Sequence, residues 1–411
     1  MNRQSKCRLC SEPLRHVFAD LGTTPLCESF VSAATYNEPE QSFPLRAYVC
    51  GVCFLVQVEE LVRPADIFSD YAYFSSYSDS WVDHAKRYAT AVRQRFDLNA
   101  NSFVVELGSN DGYLLQHFVA MDIPVLGIDP AGSVAAAARG RRVPTEVTFF
   151  TDEVAHRLAA ERRAELIIAN NVLAQAPDLH DFVAGVERLL APTGIVTVEV
   201  PHLLRLMEGN QFDTIYHEHF SYFSLMALER LFGDHGLRCF GVDELPTHGG
   251  SLRLYLCHAA DSSRSASGGV AALRRKEVDA GLDRIECYAG FAERVKETKR
   301  RILEMLIDLT RRGRTIAGYG APGKGSTLLN YCGIGTDFIP YTVDRNPNKH
   351  GRYLPGSRIP IFPPERIAET KPDFVFILPW NLTDEIVGQL SFIRAWGGRF
   401  IVPIPEPRVI E

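Results

Sequence analysis

The stretch from Ser102 to Asp129 constrains this chain more than any other part of it. It reads S-F-V-V-E-L-G-S-N-D-G-Y-L-L-Q-H-F-V-A-M-D-I-P-V-L-G-I-D. An apolar run from Phe103 to Val105 ends in Glu106. A glycine turn follows from Gly108 to Gly112, then a helical stretch carrying Leu114, Leu115 and Phe118. A second apolar run closes on Asp129. Short apolar runs bounded by glycine and joined by a stretch of helical period define a β-α-β unit with an acid at the tip of its second strand.

Glycines let a backbone approach a ligand closely, and an acid at that tip can hold two ribose hydroxyls. The spacing E-x-G-x-x-x-G differs from the dinucleotide form G-x-G-x-x-G. Glu106 and Asp111 crowd the turn with negative charge, which repels a pyrophosphate but not a cationic sulfonium. The turn resembles the S-adenosylmethionine loop of class I methyltransferases. That reading assigns Glu106, Gly108, Asn110, Gly112 and Asp129 to the cofactor, with Asn170 and Asn171 near its methionine end. The competing reading is an ordinary buried β-α-β turn.

At 411 residues the chain has room for about two to three domains. Alternating strands and helices continue through 166–171 and 195–200 to a final strand pair at 236–242 and 251–257. The polar, small-residue segment 259–269 reads as a linker. Beyond it Ile285, Tyr288, Phe291, Val295, Ile302, Met305, Leu306 and Leu309 fall at helical spacing, which predicts one long amphipathic helix. A second α/β unit begins near Arg314, with Gly318, Gly320 and Gly323 spaced G-x-G-x-x-G and Asp344 ending the next apolar run. The expected division is 1–66, 67–262, 263–312 and 313–411.

A formal charge of −6 gives no reason to expect a nucleic-acid partner. No apolar run approaches the ~18 residues of a membrane span, and the N-terminus lacks a signal-peptide core. A cytoplasmic, monomeric protein is expected. In that reducing compartment nine cysteines point to metal or free thiols rather than disulfides. Cys7-Arg-Leu-Cys10 and Cys50-Gly-Val-Cys53 form two C-x-x-C knuckles, enough thiolates to close a tetrahedral structural zinc site. A redox C-x-x-C would explain one pair, not two.

The densest acid–base cluster is Phe212-Asp213-Thr214-Ile215-Tyr216-His217-Glu218-His219-Phe220, just beyond a strand's carboxyl end. Histidine takes a proton near neutral pH, glutamate can orient it, and tyrosine can hydrogen-bond a developing oxyanion. A metal held by His217 and His219, or purely structural polar residues, are the alternatives. His248-Gly-Gly-Ser-Leu-Arg253 is a second polar loop, with a simple turn as its alternative.

Taken in order, the cysteine pairs, Y-x-Y-F-S-S-Y-S, E-L-G-S-N-D-G, Y-H-E-H-F, H-G-G-S-L-R and G-Y-G-A-x-x-K resemble the zinc-containing, S-adenosylmethionine-dependent sugar C-methyltransferases. These act on thymidine diphosphate keto-sugars in antibiotic deoxysugar pathways, as in carbon-3 methylation toward tetronitrose. The resemblance spans nearly the whole chain. It implies an α/β protein with a zinc lobe, a class I methyltransferase core and a C-terminal Rossmann-like domain that helps hold a nucleotide sugar. On it, His219 is the base, Tyr216 and Glu218 share its site, and Tyr71 and Tyr73 lie on a segment that closes over it. His248, Arg253, Tyr319 and Lys324 fall to the substrate, with the second glycine turn and Lys324 suited to a diphosphate. In one respect the chain departs from the family. After the Asn170-Asn171 pair the family carries a histidine, whereas N-V-L-A-Q-A-P-D has Gln175, which cannot titrate. An O-methyltransferase of a non-sugar metabolite, an NAD-dependent oxidoreductase using the second glycine turn, and a zinc-ribbon interaction protein are the other functions the residues admit.

Overall fold

Three sheets organise the computed structural model, which describes residues 5–68 and 74–411. The first is antiparallel, with β1 (His16–Thr24), β2 (Phe43–Val49) and β3 (Val56–Val58) paired in that order. The second takes β4 (Val104–Leu107), β5 (Val125–Asp129), β6 (Thr145–Val147), β7 (Ala164–Asn170) and β8 (Leu190–Pro201), all parallel. The chain then leaves this sheet to place β9 (Ser221–Tyr222) against β3, and returns as β10 (Leu237–Leu245) and β11 (Ser251–His258). The cysteine-rich lobe therefore borrows a strand from a point far along the chain.

Across the second sheet the order is β6-β5-β4-β7-β8-β11-β10, with β11 antiparallel to both neighbours. All four residues of β4 are buried, as expected of a parallel strand covered on both faces. Direction of travel reverses at β4: β5 and β6 lie to one side, β7 and β8 to the other. In open α/β sheets such a reversal leaves a crevice outside the carboxyl ends, where ligands bind.

The third sheet holds β12 (Ile316–Tyr319), β13 (Thr342–Val343), β14 (Ile361–Phe362), β15 (Phe374–Ile377), β16 (Arg399–Val402) and β17 (Arg408–Ile410). Their order is β14-β13-β12-β15-β16-β17, with only β17 antiparallel.

The long helix expected between the last two sheets is three helices, Gly268–Asp279, Glu286–Ala289 and Phe291–Arg311. Gly281, at φ +84°, and Gly290 interrupt it where the apolar periodicity does not show the break. Helix Phe291–Arg311 buries Phe291, Val295, Ile302 and Leu306 against the cysteine-rich lobe and the third sheet together. Phe18 of β1 stacks on Phe291 with centroids 4.3 Å apart. The knuckles share another core with one face of the second sheet, where Cys7, Leu9 and Cys50 pack with Val105, Ile167 and Val196. The lobe is thus built into both of its neighbours. No helix among the described residues is long and apolar enough to cross a membrane.

Candidate active site and zinc site

The two knuckles are near copies. In each, the residue after the second cysteine is left-handed, Ser11 at φ 62° and Phe54 at φ 58°. Its N–H returns to the first cysteine's carbonyl, Ser11 to Cys7 at 2.8 Å and Phe54 to Cys50 at 3.1 Å. Cys7 and Cys50 N–H groups in turn bond the Glu12 and Leu55 carbonyls. This folding brings the Cys7, Cys10, Cys50 and Cys53 sulfurs within 4.8 Å of one another. The closest approaches are 3.5 Å for Cys7–Cys53 and 3.4 Å for Cys10–Cys50. Thiolates ~2.3 Å from a tetrahedral zinc lie roughly 3.8 Å apart, so the set fits zinc with no open position for catalysis. The Val52 N–H and the Gln57 amide point at the Cys50 and Cys7 sulfurs, as donors to thiolate should.

At the β4 crevice Gly108 takes φ +67°, and a Cβ there would lie 3.0 Å from Val172. Only glycine makes this turn without strain. At Gly112, φ +75°, a Cβ would meet Val143 and Ala138 at 3.1 and 3.2 Å, so a side chain there would press on the helix Gly132–Gly140. Asp129 accepts the Asn110 and Ala131 N–H groups at 2.9 Å each, which fixes its carboxylate at the strand tip. Burial, then Asp129 and Asp111, push the Glu106 carboxyl well above the usual range. Arg141 lies 3.1 Å from Asp111. Among the described residues, one oxygen each of Glu106, Asn170 and Asn171 is buried without a hydrogen bond. Buried polar atoms are ordinarily paired, and this orphan set at the ends of β4 and β7 suits the many polar groups of S-adenosylmethionine. Trp81 walls the crevice, stacked on His84 and Tyr113 and edge-on to His248.

Beyond β8 a tight turn brings His219 N–H to the Tyr216 carbonyl. His219 Nε2 lies 3.0 Å from the Tyr216 hydroxyl. Burial, reinforced by His248 and Lys324, holds the imidazole down to about 3. Glu218 does not orient this histidine: at 2% exposure it accepts the Cys27 thiol at 3.1 Å, and burial pushes it up to about 7. His217 faces away, with Nε2 3.2 Å from the Pro44 carbonyl and its ring edge-on to Phe43. The shared metal site considered for the two histidines is therefore not formed, because the turn sends them apart. Gln175 lies in a short helical turn after β7. Tyr71 and Tyr73 lie outside the described residues.

The substrate residues divide. Lys324 donates to Asn381 at 2.8 Å and lies over the Trp380 ring at 4.8 Å. His248, left-handed at φ 54°, joins the same neighbourhood, where burial and then Lys324 bring it down to about 4. Arg253 adjoins them through His84, 3.2 Å from its Nη2, which stacks on the Trp81 that lies edge-on to His248. It is engaged by Glu199 at 2.7 Å and stacked over Tyr88, inside the sheet. The Tyr319 hydroxyl points to Gln389 at 3.1 Å. The second glycine turn is also closed. Added Cβ atoms at Gly318, Gly320 and Gly323 would meet Thr342, Pro379 and Cys27 at 2.7, 2.6 and 2.6 Å. Glu28 of the lobe lies beside this turn, its Oε1 3.4 Å from a Cβ built on Gly323. Its neighbour Lys349 lies 3.7 Å away. Asp213 fell inside the acid–base cluster without a role assigned to it, and Trp380, Trp81 and Glu28 carry no short motif. The one signal was position: L-P-W-N follows β15 at a carboxyl end.

A crevice of this chemistry at the reversal point of such a sheet defines a class I S-adenosylmethionine-dependent methyltransferase. Family models agree piece by piece: a zinc binding domain over 7–68, a methyltransferase domain over 81–240 and a C-methyltransferase C-terminal domain over 246–405. C-methyltransferase NovU of Streptomyces niveus is 39% identical over 407 residues, covering 99% of this chain and 97% of its own. The chain belongs to this family of zinc-binding, S-adenosylmethionine-dependent C-methyltransferases. Ubiquinone biosynthesis O-methyltransferase of Rhodopseudomonas palustris (strain TIE-1) is 25% identical over 34% of this chain and 63% of its own. Among solved structures, 1,6-didemethyltoxoflavin-N1-methyltransferase of Burkholderia thailandensis matches with TM-score 0.36 and 18% identity, over 50% of this chain and 94% of its own.

Proposed function

We propose that the chain methylates the carbon alpha to a ketone, carbon 3, of a thymidine diphosphate-linked 4-keto deoxysugar. The observation that carries this reading is the Tyr216–His219 pair, 3.0 Å apart, within electrostatic reach of Lys324. A ketone acidifies its adjacent C–H. His219 Nε2 takes that proton, and the Tyr216 O–H turns from the imidazole to the enolate oxygen as charge develops there. S-adenosylmethionine, held by Asp129, Glu106 and the Asn170-Asn171 pair, supplies an electrophilic methyl group. Lys324 holds the diphosphate. That anion offsets one of the cations that depress His219, so substrate binding itself makes the imidazole more basic. The name of the Streptomyces niveus relative supports carbon as the acceptor. An O-methyltransferase would need no base beside a C–H group.

The test is incubation with S-adenosylmethionine and a panel of thymidine diphosphate keto-sugars, read by product mass and by loss of the alpha hydrogen. A product methylated on oxygen, or no product from any member of the panel, would overturn the reading.

A further inference from the structure

Trp380 sits where two parts of the chain meet, and three of its sides are held. Its indole N–H donates to Asp213 Oδ2 at 2.6 Å. Lys324 Nζ lies 4.8 Å from its ring centre. At the far corner, a Cβ on Gly249 of the His248 loop would lie 2.7 Å from Cη2, so that loop touches the indole only because residue 249 is glycine. Asp213 is completely buried. An anion at the indole N–H pushes electron density toward the ring, and a cation over the ring face is drawn to that density. Asp213 is also close enough to favour the charged form of Lys324, against burial that lowers it.

We infer that Trp380 is a positioning residue for substrate: clamped by Asp213, it sets the place of the Lys324 ammonium against a diphosphate and aligns the His248 loop beside it. The inference rests on the reading of Lys324 as the diphosphate holder. The ring itself forms no bond in the reaction and touches no reacting atom.

Thymidine diphosphate is the probe, with affinity measured by calorimetry on the full-length, zinc-loaded protein. Trp380→Phe keeps the ring and loses the N–H. It should weaken thymidine diphosphate roughly tenfold, while S-adenosylmethionine affinity, which reports an intact crevice, stays within about twofold. Asp213→Asn should do the same from the other side of the bond. Lys324→Met should weaken the probe at least as much, and adding Trp380→Phe to it should cost little more, because both act through one ammonium. If Trp380→Phe leaves the affinity unchanged while Lys324→Met weakens it, the positioning role is wrong and the diphosphate reading stands. If the two effects simply multiply, Trp380 acts independently and the inference fails. Should Lys324→Met bind the probe as the wild type does, both readings fall.

Discussion

His219 is held neutral far below its ordinary range, with the Tyr216 phenol at its Nε2. A base so placed is ready at every pH where the protein works. His219→Asn should therefore lose methyl transfer by roughly 10² to 10⁴, the usual worth of general acid–base catalysis, with S-adenosylmethionine binding intact. Turnover at the wild-type rate would place the base elsewhere; His217, turned toward Pro44, is poorly placed to replace it. Glu218 makes a separate prediction. Its folded carboxyl titrates near about 7 against an ordinary 4.5, so the folded state binds the extra proton between those values. Stability attached to Glu218 thus falls as pH rises through that window, by up to about 3 kcal/mol at ~1.36 kcal/mol per unit. Glu218→Gln should gain stability over the wild type at pH 8 and little at pH 5, measured by denaturant titration. An equal effect at both values would show that the carboxyl is not charged at pH 8 at that cost.

The glycine turn with an acid at the next strand's tip occurs twice. Asp129 accepts the Asn110 and Ala131 N–H groups, and Asp344 accepts those of Ala321 and Asn346 in the same way. The acid is therefore first a latch between turn and strand, and becomes a ligand group only where the turn is left open. If the β4 turn holds S-adenosylmethionine as proposed, Asp129→Ala should weaken it about tenfold or more, since two charge-assisted hydrogen bonds are at stake. Calorimetry showing unchanged affinity would reduce Asp129 to its latch. At the β12 turn the Cys27-Glu28 segment fills the space, with the Ser326 hydroxyl bonded to the Cys27 carbonyl. The spacing G-x-G-x-x-G is the same whether a cofactor or a cysteine lies against its glycines, which is why the turn looked like a ligand site in sequence.

Zinc acts on more than the lobe that binds it. The knuckles pack into the methyltransferase sheet, β9 completes the lobe's own sheet, and Phe18 stacks on the helix that supports the third. One core shared so widely should melt as one. Pure protein should carry about one zinc per chain. Removing it with a chelator, or introducing Cys50→Ser, should shift a single calorimetric transition downward rather than release a separate low-temperature one. Two resolved transitions would show that the lobe folds independently.

What could be read from the chain alone was whatever depends on near neighbours. Runs of apolar residues and a glycine turn define a β-α-β unit within 28 residues, and each C-x-x-C knuckle closes on itself through hydrogen bonds five residues apart or fewer. The cysteine pairs, the cofactor turn, and the Tyr216–His219 pair, three residues apart, were legible for that reason. Direction was not. Glu218 and His219 are adjacent, yet one turns to Cys27 and the other to Tyr216, because the segment is drawn between the lobe and the crevice. Arg253 is spent on Glu199, its cross-strand partner, a pairing that exists only once β11 inserts beside β8. Cys27 against Gly323, and Asp213 on Trp380, join residues separated by more than 150 positions. Such contacts follow from how three sheets pack, and packing is decided by the sum of buried surfaces rather than by any local pattern.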